Sequence, residues 1–274
     1  MEVVVGGGDK NKGLVIDESI PSIARIYDYF LGGKDNYACD RKFAAELVEV
    51  APEVGPMAND NRAFLGRVVR FLAQQGINQF IDIGTGLPTQ NNVHEVAQGI
   101  IPNARVVYVD NDPVVLVHAR ALLMDNPYVV VVDADLRKPE NLINDPAVRD
   151  LIDFSQPLAI LLVGILYFLA NEEEPDKIVS TLRKAMPSNS YLALSHIISD
   201  DRPDTISQVQ ELYRGFMKGQ GNCLRTRKQV QAFFGDLEMV DPGLVYAYQW
   251  HAGAQQQRDK NLPRWMLGGV ARKR

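Results

Sequence analysis

A chain of 274 residues, 46% hydrophobic and 23% charged, is long enough to bury one large core and has the composition of a folded globular protein. Lys and Arg number 29 against 34 Asp and Glu, a formal net charge of -5, which lacks the basic footprint that neutralises phosphates, so no nucleic-acid partner is expected. Two cysteines, Cys39 and Cys223, are too few for a disulfide framework and lack zinc spacing, which points to a reducing, cytoplasmic compartment.

Residues 1–15 are Gly-rich and charged without a sustained period and read as a flexible N-terminal arm. No cationic stretch follows Met1, so no signal peptide is expected. Residues 16–76 have helical texture and form a cover. Pro21 suits the first turn of a helix, Asp40 suits the cap of one running to Val50, and Phe64, Leu65, Val68, Val69 and Leu72 share one apolar face that Gly76 ends.

From residue 77 the texture changes to short β-branched runs at 80–83, 105–109, 128–132, 158–163 and 191–195, separated by helical stretches. Helix starts are expected after Pro88, at Asp112-Pro113, and at Asn171 with its following glutamates. Near-continuous Val/Ile/Leu strands must be buried on both faces, so the alternation predicts a doubly wound, mostly parallel α/β sheet. The longest apolar run, 158–170, is shorter than the roughly 20 residues of a spanning helix, so no membrane association is expected. Helices near 206–218 and 227–234, the second with a capping box on Thr226 and Gln229, precede two closing strands near 238–240 and 267–272. Residues 16–274 are thus read as a single domain, a cover over 16–76 and an α/β core over 77–274. Trp250 and Trp265 are expected to pack in the core or at its rim.

Ligands of open α/β sheets sit outside the carboxyl ends of the strands, at the point where strand order reverses. The first strand exits through Asp82-Ile83-Gly84-Thr85-Gly86-Leu87-Pro88-Thr89. Gly84 and Gly86 permit a tight turn and close approach of backbone to a ligand. Thr89 stands where the dinucleotide fingerprint needs Gly or Ala, and Asp82 would repel a phosphate and attract an ammonium. The second strand ends at Asp110, placed to accept from two ribose hydroxyls. Asn111 stands beside it as a further contact, and either Asn111 or Asp112 can cap the next helix. At the third exit Asp135, in preference to Asp133, is placed to accept from an adenine amino group; the alternative is that either acid caps the turn to Pro139.

These residues carry a resemblance. Asp82-Ile83-Gly84-Thr85-Gly86, Asp110 and Asp135 resemble the successive cofactor motifs of class I S-adenosylmethionine-dependent methyltransferases. More narrowly, Pro21-Ser22-Ile23-Ala24-Arg25-Ile26-Tyr27-Asp28-Tyr29, Leu31-Gly32-Gly33-Lys34-Asp35-Asn36 and Val109-Asp110-Asn111-Asp112-Pro113 resemble the actinobacterial S-adenosyl methyltransferase family, formerly a domain of unknown function. The resemblance spans about residues 16–272. It implies a seven-stranded, mostly parallel Rossmann-like sheet under an N-terminal helical cover, with S-adenosyl-L-methionine as cofactor and S-adenosyl-L-homocysteine as product. The methyl acceptor is left open.

The cofactor's ammonium, sulfonium and carboxylate suit a site with Asp82 for the ammonium and unengaged backbone donors at Thr85 and Gly86 for the carboxylate. Tyr29 and Asn36 are expected to face the cofactor from the cover, aromatic rings near a sulfonium contributing cation–π attraction. Tyr167, at the fourth exit, and His196, after the fifth strand, are the catalytic candidates, His196 as a general base or as a hydrogen-bonded structural residue. Arg62 is read as a solvated residue in preference to a carboxylate-binding one. His94-Glu95 has no second His at metal-ligand spacing, so no metal is expected. The fourth exit lacks the Pro-Pro aromatic signature of amino-nucleobase enzymes, and Gly164 replaces the acid of metal-dependent catechol enzymes. The expected function is therefore a methyltransferase for a small-molecule substrate. The alternatives are a non-catalytic S-adenosylmethionine-binding or sensing protein and, further off, a nicotinamide-dependent oxidoreductase. Nothing in the sequence indicates the oligomeric state.

Overall fold

Three helices open the chain: α1 (Ile23–Phe30), α2 (Ala38–Val50) and α3 (Val54–Gln74). The computed structural model describes residues 17–89, 91–200, 202–216, 223–252 and 265–274, so the arm over 1–15 and the far end of the helix expected to reach residue 218 lie outside the described residues. The five apolar positions read from α3 are all buried, because a 3.6-residue period sets them on one face. Gly76, at φ +87, ends the run: the Ile77 amide donates back to the Leu72 carbonyl (3.0 Å), closing the helix in a left-handed turn.

Two expected helix starts in the cover shift. Pro21 precedes the cap rather than occupying the first turn, since Ser22 is the N-cap of α1. Asp40 lies inside the first turn of α2, where it reaches back to accept from the Tyr37 amide (2.7 Å) and also accepts from the Ser22 amide (2.9 Å) and Arg25 Nε (2.7 Å). A short acceptor at this position satisfies orphan donors of two helix starts at once.

The core continues as β1 (Gln79–Ile83), α4 (Val93–Gln98), β2 (Arg105–Asp110), α5 (Pro113–Leu123), β3 (Val129–Asp133), α6 (Pro139–Ile143), α7 (Pro146–Leu151), β4 (Ala159–Val163), α8 (Pro175–Ala185) and β5 (Tyr191–Ile197). It closes with α9 (Pro203–Phe216), α10 (Arg227–Ala232), β6 (Glu238–Met239), β7 (Val245–Tyr246) and β8 (Met266–Arg272). Asp112 caps α5 as expected, accepting from the Val114 amide (2.8 Å), with Pro113 at the first position. By contrast α4 starts after Asn92, downstream of Pro88, and α8 starts at Pro175, after a single 3-10 turn over Asn171–Glu173.

Strand order is β3-β2-β1-β4-β5-β8-β6, parallel from β3 through β5, with β8 antiparallel to β5. The sheet has eight strands where seven were expected, because the neighbour of β8 comes in two short pieces. β6 pairs at the Arg272 end and β7 at the Gly268 end of the same edge. The order reverses between β1 and β4, and both strands are buried along nearly their whole length. That reversal opens a crevice at their carboxyl ends. The cover is anchored to the far side of the sheet by α3: Phe64 lies so close over Gly268 that a Cβ there would come within 2.8 Å of its ring. Trp250 and Trp265 are core residues, 0% and 1% exposed.

Candidate functional site

The carboxyl ends of β1 to β5, roofed by α1 and α3, enclose a cavity of ≈ 640 Å³. Pockets for drug-sized ligands run roughly 300–1,000 Å³, so this one has room for more than a single small molecule. Its floor begins at the first strand exit. Gly84 and Gly86 both have positive φ (+74 and +66), which glycine adopts without a steric penalty. Their surroundings differ. A Cβ on Gly84 would meet the Ile165 side chain at 2.6 Å, so packing against the β4 exit loop already calls for a glycine there, while its backbone also lines the cavity. At Gly86 a Cβ would meet nothing within 4 Å, which leaves open space over the backbone.

The backbone donors of this turn are already used, contrary to the expectation that they are unengaged. The Thr85 amide donates to the Val109 carbonyl (3.2 Å) and the Gly86 amide to Asp110 Oδ2 (2.9 Å). Asp110 therefore ties the β1 turn to the β2 exit, its other oxygen accepting from the Asp112 amide (2.9 Å). Each carboxylate oxygen still has a second lone pair directed away from these bonds. Burial raises the Asp110 pKa, against the pull of its backbone donors. Asn111 is exposed and lines the cavity beside it.

Asp82 is 4% exposed, lines the cavity and accepts from the Thr85 hydroxyl (3.1 Å). Burial pushes its pKa up to about 6; Arg62 and Thr85 oppose the rise and Asp110 adds to it. Arg62 departs from expectation: instead of a solvated face it occupies the cavity wall, donating to Asn92 Oδ1 (3.0 Å). At the third exit Asp135 lines the cavity, but Arg137 Nε forks onto both of its oxygens (2.8 and 3.0 Å). Burial favours a higher Asp135 pKa, and the Arg137 hydrogen bonds override it to give a net lowering.

Two residues expected to face the cavity from the cover do not. Tyr29 is 39% exposed and lies off the cavity wall. Helical spacing explains it: Ile23, Tyr27 and Phe30 form the inward stripe of α1, and Tyr29 falls outside it. Asn36 is spent on the chain itself, donating to Asp28 Oδ2 (3.0 Å) and the Gly33 carbonyl (3.1 Å). Asp28 is buried, also accepts from the Asp35 amide (3.0 Å), and lies where a Cβ on Gly33 would collide with it. The signature around Tyr27-Asp28-Tyr29 and Gly32-Gly33-Lys34-Asp35-Asn36 is thus a clasp that shapes the turn after α1.

His196 is corrected as well. It is fully buried and absent from the cavity wall, with Nδ1 2.6 Å from the Ile197 carbonyl and Nε2 3.2 Å from Arg225. A carbonyl only accepts and a guanidinium only donates, so Nδ1 carries the proton and the Nε2 lone pair is taken. Burial pushes its pKa down to about 3, with the neighbouring Arg225 acting in the same direction. It has neither access nor a lone pair for a substrate proton. Tyr167 does line the cavity, held in a 3-10 turn over Leu166–Phe168 with its ring nearly perpendicular to that of His196.

Residues not singled out from the sequence complete the wall. Asn61 on α3 accepts from the Ser195 hydroxyl (2.6 Å) and donates to the Tyr27 hydroxyl (3.2 Å), which donates onward to the Ala58 carbonyl (3.1 Å). This chain joins β5, α3 and α1 across the crevice. Its one sequence signal was a polar residue one turn before Phe64 on the apolar side of α3. Across the mouth, Ser22 Oγ donates to Asp112 Oδ2 (2.7 Å), so the cap of α1 is fastened to the cap of α5.

The model of the S-adenosyl methyltransferase family matches residues 9–274. The chain belongs to the S-adenosyl methyltransferase family. A Thermobifida fusca protein crystallised as a methyltransferase candidate is 43% identical, with a TM-score of 0.87 over 93% of this chain and 96% of that one. A family member from Streptomyces avermitilis is 38% identical, with a TM-score of 0.88 over 94% and 99%. None of the curated proteins matches the sequence. Membership makes the protein an S-adenosylmethionine-dependent methyltransferase, and S-adenosyl-L-methionine is its methyl donor. No helix among the described residues is long and apolar enough to cross a membrane.

Proposed function

We propose that the cavity holds S-adenosylmethionine over the exits of β1 to β3 and a small-molecule acceptor over the exits of β4 and β5. The observation that carries this is the pair of carboxylates on the cavity wall. Asp82 is buried with a raised pKa, so a cation beside it offsets its desolvation. Asp110 keeps acceptor capacity on both oxygens for the ribose hydroxyls, with Asn111 beside it. The open space over Gly86 accommodates close approach of a ligand to the backbone, and the Thr85 side chain holds Asp82 in place. Asp135 meets the adenine amino group with the acceptor capacity its Arg137 fork leaves.

The bound cofactor supplies an activated methyl group on a sulfonium, so the protein's work is alignment and exclusion of water. Asp82 and Asp110 would hold the cofactor's ammonium and its ribose, on either side of the sulfonium, and so fix where the methyl group is presented. Tyr27, Asn61 and the roof of α1 keep water from the reacting centre. Tyr167 meets the acceptor as a neutral phenol, since burial raises its pKa well above the ordinary value. Residues 16–274 act as one catalytic unit, the cover over 16–76 and the core over 77–274 each contributing walls. A cytoplasmic location belongs to the same reading and rests on two unpaired cysteines, Cys39 and Cys223.

Calorimetric titration of the full chain with S-adenosylhomocysteine and with NAD tests the assignment. Saturable binding of the first, weakened at least about tenfold in Asp110→Ala, is expected, since charge-assisted hydrogen bonds contribute roughly 1.5–3 kcal/mol. Unchanged affinity in a folded Asp110→Ala protein removes Asp110 from the site.

A further inference from the structure

The two halves of the cavity differ in charge. Every side chain on its wall that is charged at neutral pH belongs to the side facing β1 to β3 and the start of α1: Asp82, Asp110, Asp112 and Asp135 with Arg62 and Arg137, and Asp17 and Arg25 near the α1 cap. Arg62 bonds Asn92, the cap of α4, on that side, and its charge reaches as far as Tyr27 at the boundary between the halves. The half walled by the inner end of α1, the first turns of α3, the β4 exit and α9 has no carboxylate, Lys, Arg or His on its wall among the described residues. Its wall is made of aromatic rings, aliphatic side chains and two methionines, Met57 and Met266, with Asn61 the polar exception.

Those rings are arranged as a surface. Phe168 lies 4.5 Å from Tyr167 and 6.1 Å from Tyr213, centroid to centroid, in tilted contacts. Three phenols, Tyr27, Tyr167 and Tyr213, are near enough to one another that ionising one raises the pKa of another, and burial raises all three. They stay neutral at any working pH. The Tyr27 hydroxyl is committed to Asn61 and Ala58. The hydroxyls of Tyr167 and Tyr213 line the cavity and have no hydrogen-bond partner among the described residues. Both hydroxyls therefore stand open on the cavity wall, where a ligand's polar edge can take the place of water.

Resting on the two-compartment reading above, we propose that the methyl acceptor is an uncharged aromatic small molecule. Its ring packs against Phe168 and Tyr213, and its single polar edge meets the hydroxyls of Tyr167 and Tyr213. A carboxylate, phosphate or ammonium against Phe168 and Tyr213 would lose its hydration with no oppositely charged side chain on that part of the wall to replace it. In the transfer, a lone pair on the acceptor's oxygen or nitrogen forms the new bond to the methyl carbon. The carbon–sulfur bond breaks with its electron pair returning to sulfur, and the proton displaced from the acceptor is carried out on the methylated product and passes to bulk water at the cavity mouth. Neither a protein base nor a metal is called on in this sequence.

The test uses the full chain saturated with S-adenosylhomocysteine and two probes of equal shape at pH 7, neutral 2-naphthol and anionic 2-naphthoate, followed by calorimetry. Saturable binding of 2-naphthol is expected, with 2-naphthoate at least about tenfold weaker. Tyr213→Phe should weaken 2-naphthol by about three- to tenfold and Phe168→Ala by more, while both variants bind S-adenosylhomocysteine as the parent does. No saturable binding of 2-naphthol, equal binding of 2-naphthoate, or indifference to both substitutions overturns the proposal. Failure of S-adenosylhomocysteine itself to bind overturns the cofactor assignment instead, so the two outcomes are distinguishable.

Discussion

At the scale of single residues the site turns on two carboxylates and two glycines. Asp82 has a cofactor-free pKa of about 6 against an ordinary value of 3.8, raised chiefly by burial. A carboxyl with a raised folded-state pKa lowers the stability of the cofactor-free fold as pH climbs from about 4 through 6. Cofactor binding has the opposite sign, since an ammonium pairs only with the ionised form. Affinity for S-adenosylhomocysteine should therefore fall roughly fourfold between pH 7.5 and 5.5, and Asp82→Asn should bind more weakly and flatten that dependence. Calorimetry at the two pH values reads both. The glycines separate by neighbour: Gly84→Ala meets Ile165 as well as a strained φ, whereas Gly86→Ala meets only the strain. Loss of roughly 1–3 kcal/mol is expected from the backbone strain in each. Denaturant titration should show a further loss in Gly84→Ala, partly recovered when Ile165→Ala is added, and no such recovery for Gly86→Ala.

Among the elements, α1 matters most because its place is set by polar bonds as much as by its apolar stripe. Asp40 accepts from Arg25 and from two backbone amides, with both members of the ion pair buried. Removing one partner of a buried pair leaves an uncompensated charge, a loss of about 3–5 kcal/mol. Asp40→Ala should accordingly lower the unfolding midpoint and weaken cofactor binding together, because Arg25 and Ser22 lie on the segment that carries the cavity wall. Measured loss of binding with stability intact would place Asp40 in contact with the ligand, contrary to its full burial. Arg225 plays the corresponding part on the other side, its guanidinium donating to the carbonyls of Leu166 and Leu169 and so holding the β4 exit turn in shape.

For the molecule as a whole, the cavity exists because the sheet order reverses between β1 and β4 and because the cover is tied down at separate points. Ser22 reaches Asp112 at the mouth, Asn61 reaches Ser195 at the base, and Phe64 seats α3 on Gly268. A ligand between sheet and cover must order both. Hydrogen exchange should therefore slow on adding S-adenosylhomocysteine in residues 23–30 as well as in 84–86. Protection confined to the glycine turn would make the cover a passive wall.

What the sequence determined by itself is the part governed by local periodicity and by strand exits. Five parallel strands, the Asp112-Pro113 helix start, the end of α3 at Gly76, and Asp82, Asp110 and Asp135 on one cavity wall all follow from spacing and from the geometry of a parallel sheet. The tertiary structure alone decided which polar groups are already spent. Asn36 and the Thr85 and Gly86 amides look available in one dimension, yet Asp28, Val109 and Asp110 hold them. His196 looks like a base until Arg225 occupies its lone pair. Tyr29 yields to Tyr27 because a shift of two residues turns a side chain by more than half a helical turn, and only packing against the sheet says which face looks inward. Local pattern places backbone; long-range hydrogen bonds decide which donors and acceptors remain for a ligand.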